Sequence, residues 1–189
     1  MALEEPVTKE AATYQDVIDA PESMVAEIID GTLYLHPRPL PRHSVASIAL
    51  GSVVHRPFQR GIDGPGGWIF MDEPELHLGG HVVVPDIAGW RRERLPKIPD
   101  EVGIETPPDW VCEVLSPSTR SLDLTRKRRI YGAHGVGHLW FVDPAARTLE
   151  AFASGEAGWT LLGAWREAEE VRSAPFDAVG FGLDVLWVE

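Results

Sequence analysis

Three apolar, strand-like segments of the chain each carry one carboxylate. In MVAEIID it is Glu27, which shares a face with Val25 and Ile29. In HVVVPDIAGW it is Asp86, sharing a face with Val82, Val84 and Ala88, and in DWVCEVL it is Glu113, sharing one with Val111 and Leu115. Side chains alternate along a strand, so each acid points the same way as apolar neighbours. A carboxylate is rarely buried unless it is paired or bound to a metal. One such residue could sit at a strand end; three invite the expectation that they converge. Converging carboxylates repel and drift toward protonation unless a cation joins them. Hard oxygen donors suit Mg²⁺ or Mn²⁺, and such an ion acidifies a water and neutralises a scissile phosphate.

A basic partner is offered by Lys127, four residues after Asp123 and hence on the same face of an expected helix. Spacing alone reads the two as an exposed ion pair worth ~0.3–0.5 kcal/mol. Beside the carboxylates, Lys127 could instead help deprotonate a metal-bound water or stabilise phosphate charge.

Several elements must position these groups. Residues 13–20 read as a short helix ending before Pro21. Met24 to His36 reads as a hairpin around Asp30-Gly31, a strong two-residue turn signal. A rigid loop, Pro37-Arg38-Pro39-Leu40-Pro41, then leads into a helix over 43–59, with apolar residues at Val45, Ile48, Ala49, Val53 and Val54. Strands are expected over 68–71, 75–78, 81–90 and 110–115. A helix over 122–134 follows, capped by Ser118 or Ser121 and closed by Gly135. A buried strand over 139–142 and a late hairpin over 148–152 and 159–162 complete the pattern. The fold class expected is α/β, a mixed sheet flanked by helices. Residues 1–12 read as a flexible N-terminus and 13–189 as one domain.

The run VVPDIAGW, followed by DWVCEVLSPSTRSLDLTRKRRIYGAHGVGHLWFVDP, resembles the Uma2 family (DUF820-type) of the PD-(D/E)xK nuclease superfamily. EIIDGTLYLHPRP followed by His43 is similar to that family's opening hairpin and histidine. The likeness covers about residues 13–145 and has a family-like tail. It implies a restriction-endonuclease-like mixed sheet with additional N-terminal and C-terminal hairpins, and Mg²⁺- or Mn²⁺-dependent hydrolysis of DNA. It maps the motif's Asp onto Asp86, its acidic partner onto Glu113 and an N-terminal acid onto Glu27, as catalytic and metal-holding groups. Leu115 stands where the superfamily pattern has lysine; the resemblance moves that role to Lys127, with Asp123 in support.

His43, Arg91, Arg92, Arg94 and Arg126 are candidate phosphate or DNA contacts, against the plainer reading of a helix-end histidine and solvated basic faces. His77 and His81, four apart across Gly79-Gly80, raise a zinc hydrolase, although surface histidines are the better account. Glu73 and Glu75 read as strand-end or rim acids, Ser116 as a capping residue, and Cys112, Tyr131, Trp110 and Trp140 as core. A rival of a different class is a non-catalytic binding or regulatory module that keeps the nuclease fold. The net charge of -12 supports that rival, since broad nucleic-acid binding usually shows as a basic balance.

Within the 189 residues, a single cysteine excludes an internal disulfide and a four-thiolate zinc site. No apolar run approaches the ~20 residues of a membrane-spanning helix. The acidic, polar start, MALEEPVTKE, does not read as a secretory signal. A cytoplasmic location is therefore expected, and a homodimer, because two-fold symmetry suits a cut through a duplex.

Overall fold

Pro85 is where the chain passes from one sheet to another. The sequence reads 81–90 as one strand, but proline has no N–H to donate to a ladder. In the computed structural model, which describes residues 7–187, the segment divides into His81–Val83 and Ile87–Arg91. These two strands lie in different sheets, and Asp86 sits in the link.

The first sheet has five strands: β1 (Val7–Glu10), β2 (Met24–Ile29), β3 (Thr32–Pro37), β5 (Leu76–Leu78) and β6 (His81–Val83), in the order β1-β3-β2-β6-β5. Strand β1 falls within the stretch expected to be flexible; it pairs along β3, while residues 1–6 lie outside the described residues. Between β2 and β3, Asp30 (φ 52°) and Gly31 (φ 73°) both take the positive φ that a two-residue hairpin turn of matching twist demands.

Helix α1 (Tyr14–Ile18) lies between β1 and β2, and α2 (Pro41–Val54) follows β3. A single π-helical turn, His55–Gln59, extends α2. The second sheet has six strands: β4 (Trp68–Asp72), β7 (Ile87–Arg91), β8 (Trp110–Val114), β9 (His138–Asp143), β10 (Thr148–Gly155) and β11 (Gly158–Arg166). Their order is β11-β10-β9-β8-β7-β4. Only β8 and β9 run parallel, a pairing that needs a crossover rather than a hairpin. The crossover is helical from Arg120 to Ala133: α3 (Arg120–Leu122), a π-helical turn (Asp123–Lys127) and α4 (Arg128–Ala133). A short pair, β12 (Glu170–Val171) and β13 (Phe181–Gly182), and a 3₁₀ turn, Leu183–Leu186, end the described chain. No helix among the described residues is long and apolar enough to cross a membrane.

The alternation in β8 decides what each face of the six-stranded sheet meets. Trp110, Cys112 and Val114 pack with Ala46, Leu50 and Val54 of α2 and with Phe176 and Leu183. On the other face Val111 packs with Leu76, Leu78 and Val83 of the first sheet and with Ile130 and Tyr131 of α4. Glu113 shares that second face, between the two sheets and beneath the crossover. The mixed sheet is the one expected. The hairpins expected as additions are built into the two sheets: β2 and β3 into the first, β10 and β11 into the second.

Candidate active site

The sheet-to-sheet link leaves backbone groups that no strand can pair, and charged side chains take them up. The Val84 N–H donates to Glu27 Oε1 of β2 at 2.7 Å, and the Val84 carbonyl accepts from Lys127 Nζ at 3.1 Å. Two residues on, Asp86 Oδ2 accepts the Val114 N–H of β8 at 2.6 Å. The β7–β8 register pairs Ile87 with Cys112, so one further step sets Asp86 against Glu113. Thus the kink at Pro85 carries Asp86 to Glu113, and its backbone tethers Glu27 and Lys127 beside them.

The π-helical turn completes the cluster. Lys127 Nζ lies 2.9 Å from Glu113 Oε1, 3.1 Å from Glu27 Oε1 and 3.4 Å from Asp123 Oδ1. Glu113 also accepts a 2.5 Å hydrogen bond from the Tyr131 hydroxyl. Single π turns inside helices recur at functional sites. The i, i+4 pair Asp123–Lys127 is therefore no exposed surface pair; both residues are 2–3% exposed. The crossover is also capped differently from expectation. Thr119 is its N-cap and makes no side-chain cap bond, while Ser116 Oγ accepts the Thr119 N–H.

Glu27, His43, Asp86, Glu113, Asp123 and Lys127 all line one cavity of about 450 Å³. His43, in the first turn of α2, sets Nε2 3.1 Å from Asp86 Oδ1. Burial opposes a charge on His43, but the Asp86 carboxylate outweighs it and raises the imidazole's pKa. Burial likewise opposes Lys127, yet Glu113 and Glu27 hold its ammonium well above the usual range. Glu27 is drawn down to about 2: burial resists ionisation, and Lys127, with the Val84 N–H, prevails. For the other two acids burial prevails over Lys127, lifting Asp123 to about 6 and Glu113 well above the carboxylate range. Four carboxylates thus compete for one ammonium and one imidazole.

The donor chemistry fits a divalent cation, which that surplus of negative charge would attract. Among the described residues, however, no three His, Cys, Asp or Glu side chains are already closed around one point. Glu27 and Glu113 are turned onto Lys127.

The arginines singled out in the sequence are not brought to this cavity. Asp86 precedes β7 and Arg91 ends it, a run of about 16 Å at ~3.3 Å per residue. There the Arg91 guanidinium covers Trp68, Arg94 pairs with Asp109 and Arg92 reaches the Trp68 carbonyl. Arg126 faces Asp30 and the Tyr34 ring. His77 pairs with Glu75 and His81 accepts the Asp30 N–H, so the two histidines serve separate contacts. Glu73 lines the cavity and pairs with Arg38 at its mouth. Tyr131, expected only as core, also donates to Glu113.

His36 was missed. It is 3% exposed, lines the cavity, and sits with Nε2 3.4 Å from Glu27 Oε2, in an orientation that makes no hydrogen bond. A signal was present. The two-residue turn pairs Ile29 with Thr32, and counting outward sets Glu27 against Tyr34 and Val25 against His36 on one face.

Comparison with known proteins agrees with this architecture. A crystal structure of "a putative nuclease belonging to DUF820" from Anabaena variabilis superposes with a TM-score of 0.73 at 22% identity, over 93% of this chain and 97% of that one. At that identity the likeness speaks for the fold. No curated protein matches. Residues 11–185 match the Uma2 family, whose description reads "Putative restriction endonuclease". The chain belongs to the Uma2 family.

Proposed function

We propose that the protein is a metal-dependent endonuclease that hydrolyses DNA phosphodiester bonds. One observation carries this reading: three carboxylates from separate elements, Glu27, Glu113 and Asp123, meet a buried lysine in a cavity that Asp86 also lines. The family description and the nuclease fold of the Anabaena structure support it. Asp86 and Glu113 would hold Mg²⁺ or Mn²⁺, and the ion would supply an acidified water and charge neutralisation at the phosphate. Glu27, bound to both Val84 and Lys127, positions the lysine, with Asp123 completing its surround. An ammonium held among carboxylates keeps its proton, so Lys127 serves phosphate charge rather than acting as a base. His43 steadies Asp86 through Oδ1, leaving Oδ2 on the Val114 N–H.

The test is incubation of single- and double-stranded DNA with Mg²⁺ or Mn²⁺, beside Asp86→Ala and Lys127→Ala. Cleavage is expected with the natural chain and lost in both variants. Cleavage that continues unchanged in both would refute the assignment.

A second reading, a non-catalytic binding module, is favoured by one feature. Lys127 already occupies Glu27 and Glu113, which a scaffold needs and a metal site must undo. Mn²⁺ calorimetry separates the two, because a scaffold needs no ion.

A further inference from the structure

Resting on the hydrolase reading above, we propose that the cavity receives one unpaired nucleotide, so that the protein acts on single-stranded rather than duplex DNA. Three observations converge on this.

The first is size. At about 450 Å³ the cavity falls among sites that enclose small ligands, ~300–1,000 Å³. Its walls are largely apolar, from Val25, Pro37, Leu40, Val84 and Pro117, and suit a sugar or base edge. The groups at its floor, Glu27 and Glu113, are 2% and 1% exposed, so a reacting phosphate must enter rather than lie across the mouth. Enzymes that do chemistry on a base inside a pocket take a single strand or pull a nucleotide from the stack, and a phosphate that must enter a pocket makes a like demand on its strand.

The second is charge. Duplex binding draws on many phosphate contacts. Among the described residues the cavity lining contributes Arg38 and Lys127 as permanent cations, and both face carboxylates. The arginine runs lie elsewhere, on Asp109 and Asp30. The site therefore offers a footprint of one or two phosphates, not a track.

The third is His36. Both of its ring nitrogens, and Nδ1 of His43, are buried without a hydrogen-bond partner. A buried polar group left unpaired is costly, and a ligand in this cavity would relieve it. His36 also lies parallel to Tyr34, with ring centroids 6.2 Å apart.

The experiment gives the protein one labelled strand of about 20 nucleotides, longer than the ~4–16 that single-strand sites span. It is supplied alone, as a blunt duplex, and as a duplex with an unpaired tail, in Mn²⁺ for cleavage and in Ca²⁺ for binding by anisotropy. The single strand should be cut at least ~10-fold faster than the duplex, with tailed-substrate cuts confined to the tail. Its binding should weaken with salt at a log–log slope of about -0.7 to -1.4, one to two phosphates. Equal or faster cutting of the duplex, or a slope steeper than about -3, overturns the proposal. Should nothing be cut, the hydrolase reading fails, and binding alone decides: a tighter single strand supports the pocket assignment, an equal or tighter duplex overturns it. His36→Leu should weaken single-strand binding roughly 3–10-fold, the loss of about one hydrogen bond. Leu40→Asp, at a position 62% exposed and so harmless to folding, should weaken it too. Unchanged affinity in both variants overturns the pocket assignment.

Discussion

Replacing Lys127 by methionine keeps the stem and removes the charge. The ammonium lies within 3.4 Å of three buried carboxylates and donates to the Val84 carbonyl. Removing one partner of a buried ion pair typically costs ~3–5 kcal/mol, because the remaining charge is stranded out of water. Here Glu27, Glu113 and Asp123 lose their partner together, but Asp123, at about 6, and Glu113, which burial raises well above the usual carboxylate value, can take up protons. That caps the loss near the usual range. At ~2–4 °C per kcal/mol for a chain of this size, Lys127→Met should melt about 6–20 °C lower at pH 7.5. The sign follows from linkage. The Lys127 pKa is raised, so its stabilisation is whole below the unfolded value of 10.5 and fades only as pH climbs through the higher folded one. The carboxylates shed their burden in the opposite direction, on acidification. The gap between wild type and variant should therefore be widest between about pH 7 and 10 and narrow by pH 5. Adding Glu27→Gln should restore part of the loss, since Glu27, drawn down to about 2, is the charge most firmly stranded. A calorimetric melt of Lys127→Met within ~2 °C of wild type at pH 7.5, unchanged at pH 5, would sink the buried-cluster argument.

Other consequences are as direct. Tyr131→Phe removes the hydroxyl that donates to Glu113 at 2.5 Å and should lower stability by about 1–3 kcal/mol in urea unfolding; no change would mean the bond is not formed. Asp143 receives the Ala145 and Ala146 N–H groups at 3.0 and 2.9 Å and pairs with Arg120. Burial opposes its ionisation, but the Ala146 N–H and Arg120 lower its pKa below 3.8. Asp143→Asn should therefore cost about 1 kcal/mol at neutral pH, and that difference should shrink as pH falls below the ordinary carboxylate value. A difference independent of pH would contradict the charge assignment.

Much of the site could be read from strand alternation. A carboxylate among apolar neighbours marks Glu27, Asp86 and Glu113 because burial of charge needs compensation. The β2–β3 turn even encoded the place of His36, through register. What alternation could not supply was the chain's change of sheet at Pro85. A proline within an apolar run signals an edge or a break, but not to which sheet the next strand goes. The depth of Lys127 was hidden for a related reason. Helical spacing fixes which face a residue shares, not whether that face meets water or another sheet. The arginine runs illustrate the converse limit. Arg91, Arg92 and Arg94 are near Asp86 in sequence, yet an extended strand carries them to its far end.

The claim on which the rest stands is that the carboxylates around Asp86 and Glu113 bind a divalent cation. Isothermal titration of Mn²⁺ into the protein tests it most directly, beside Asp86→Asn and Glu113→Gln. One saturable site is predicted in the natural chain, abolished or weakened at least ~10-fold in each variant, as for loss of one ligand of a hard-ion site. Identical heats in all three proteins, or none in the natural chain, would contradict it.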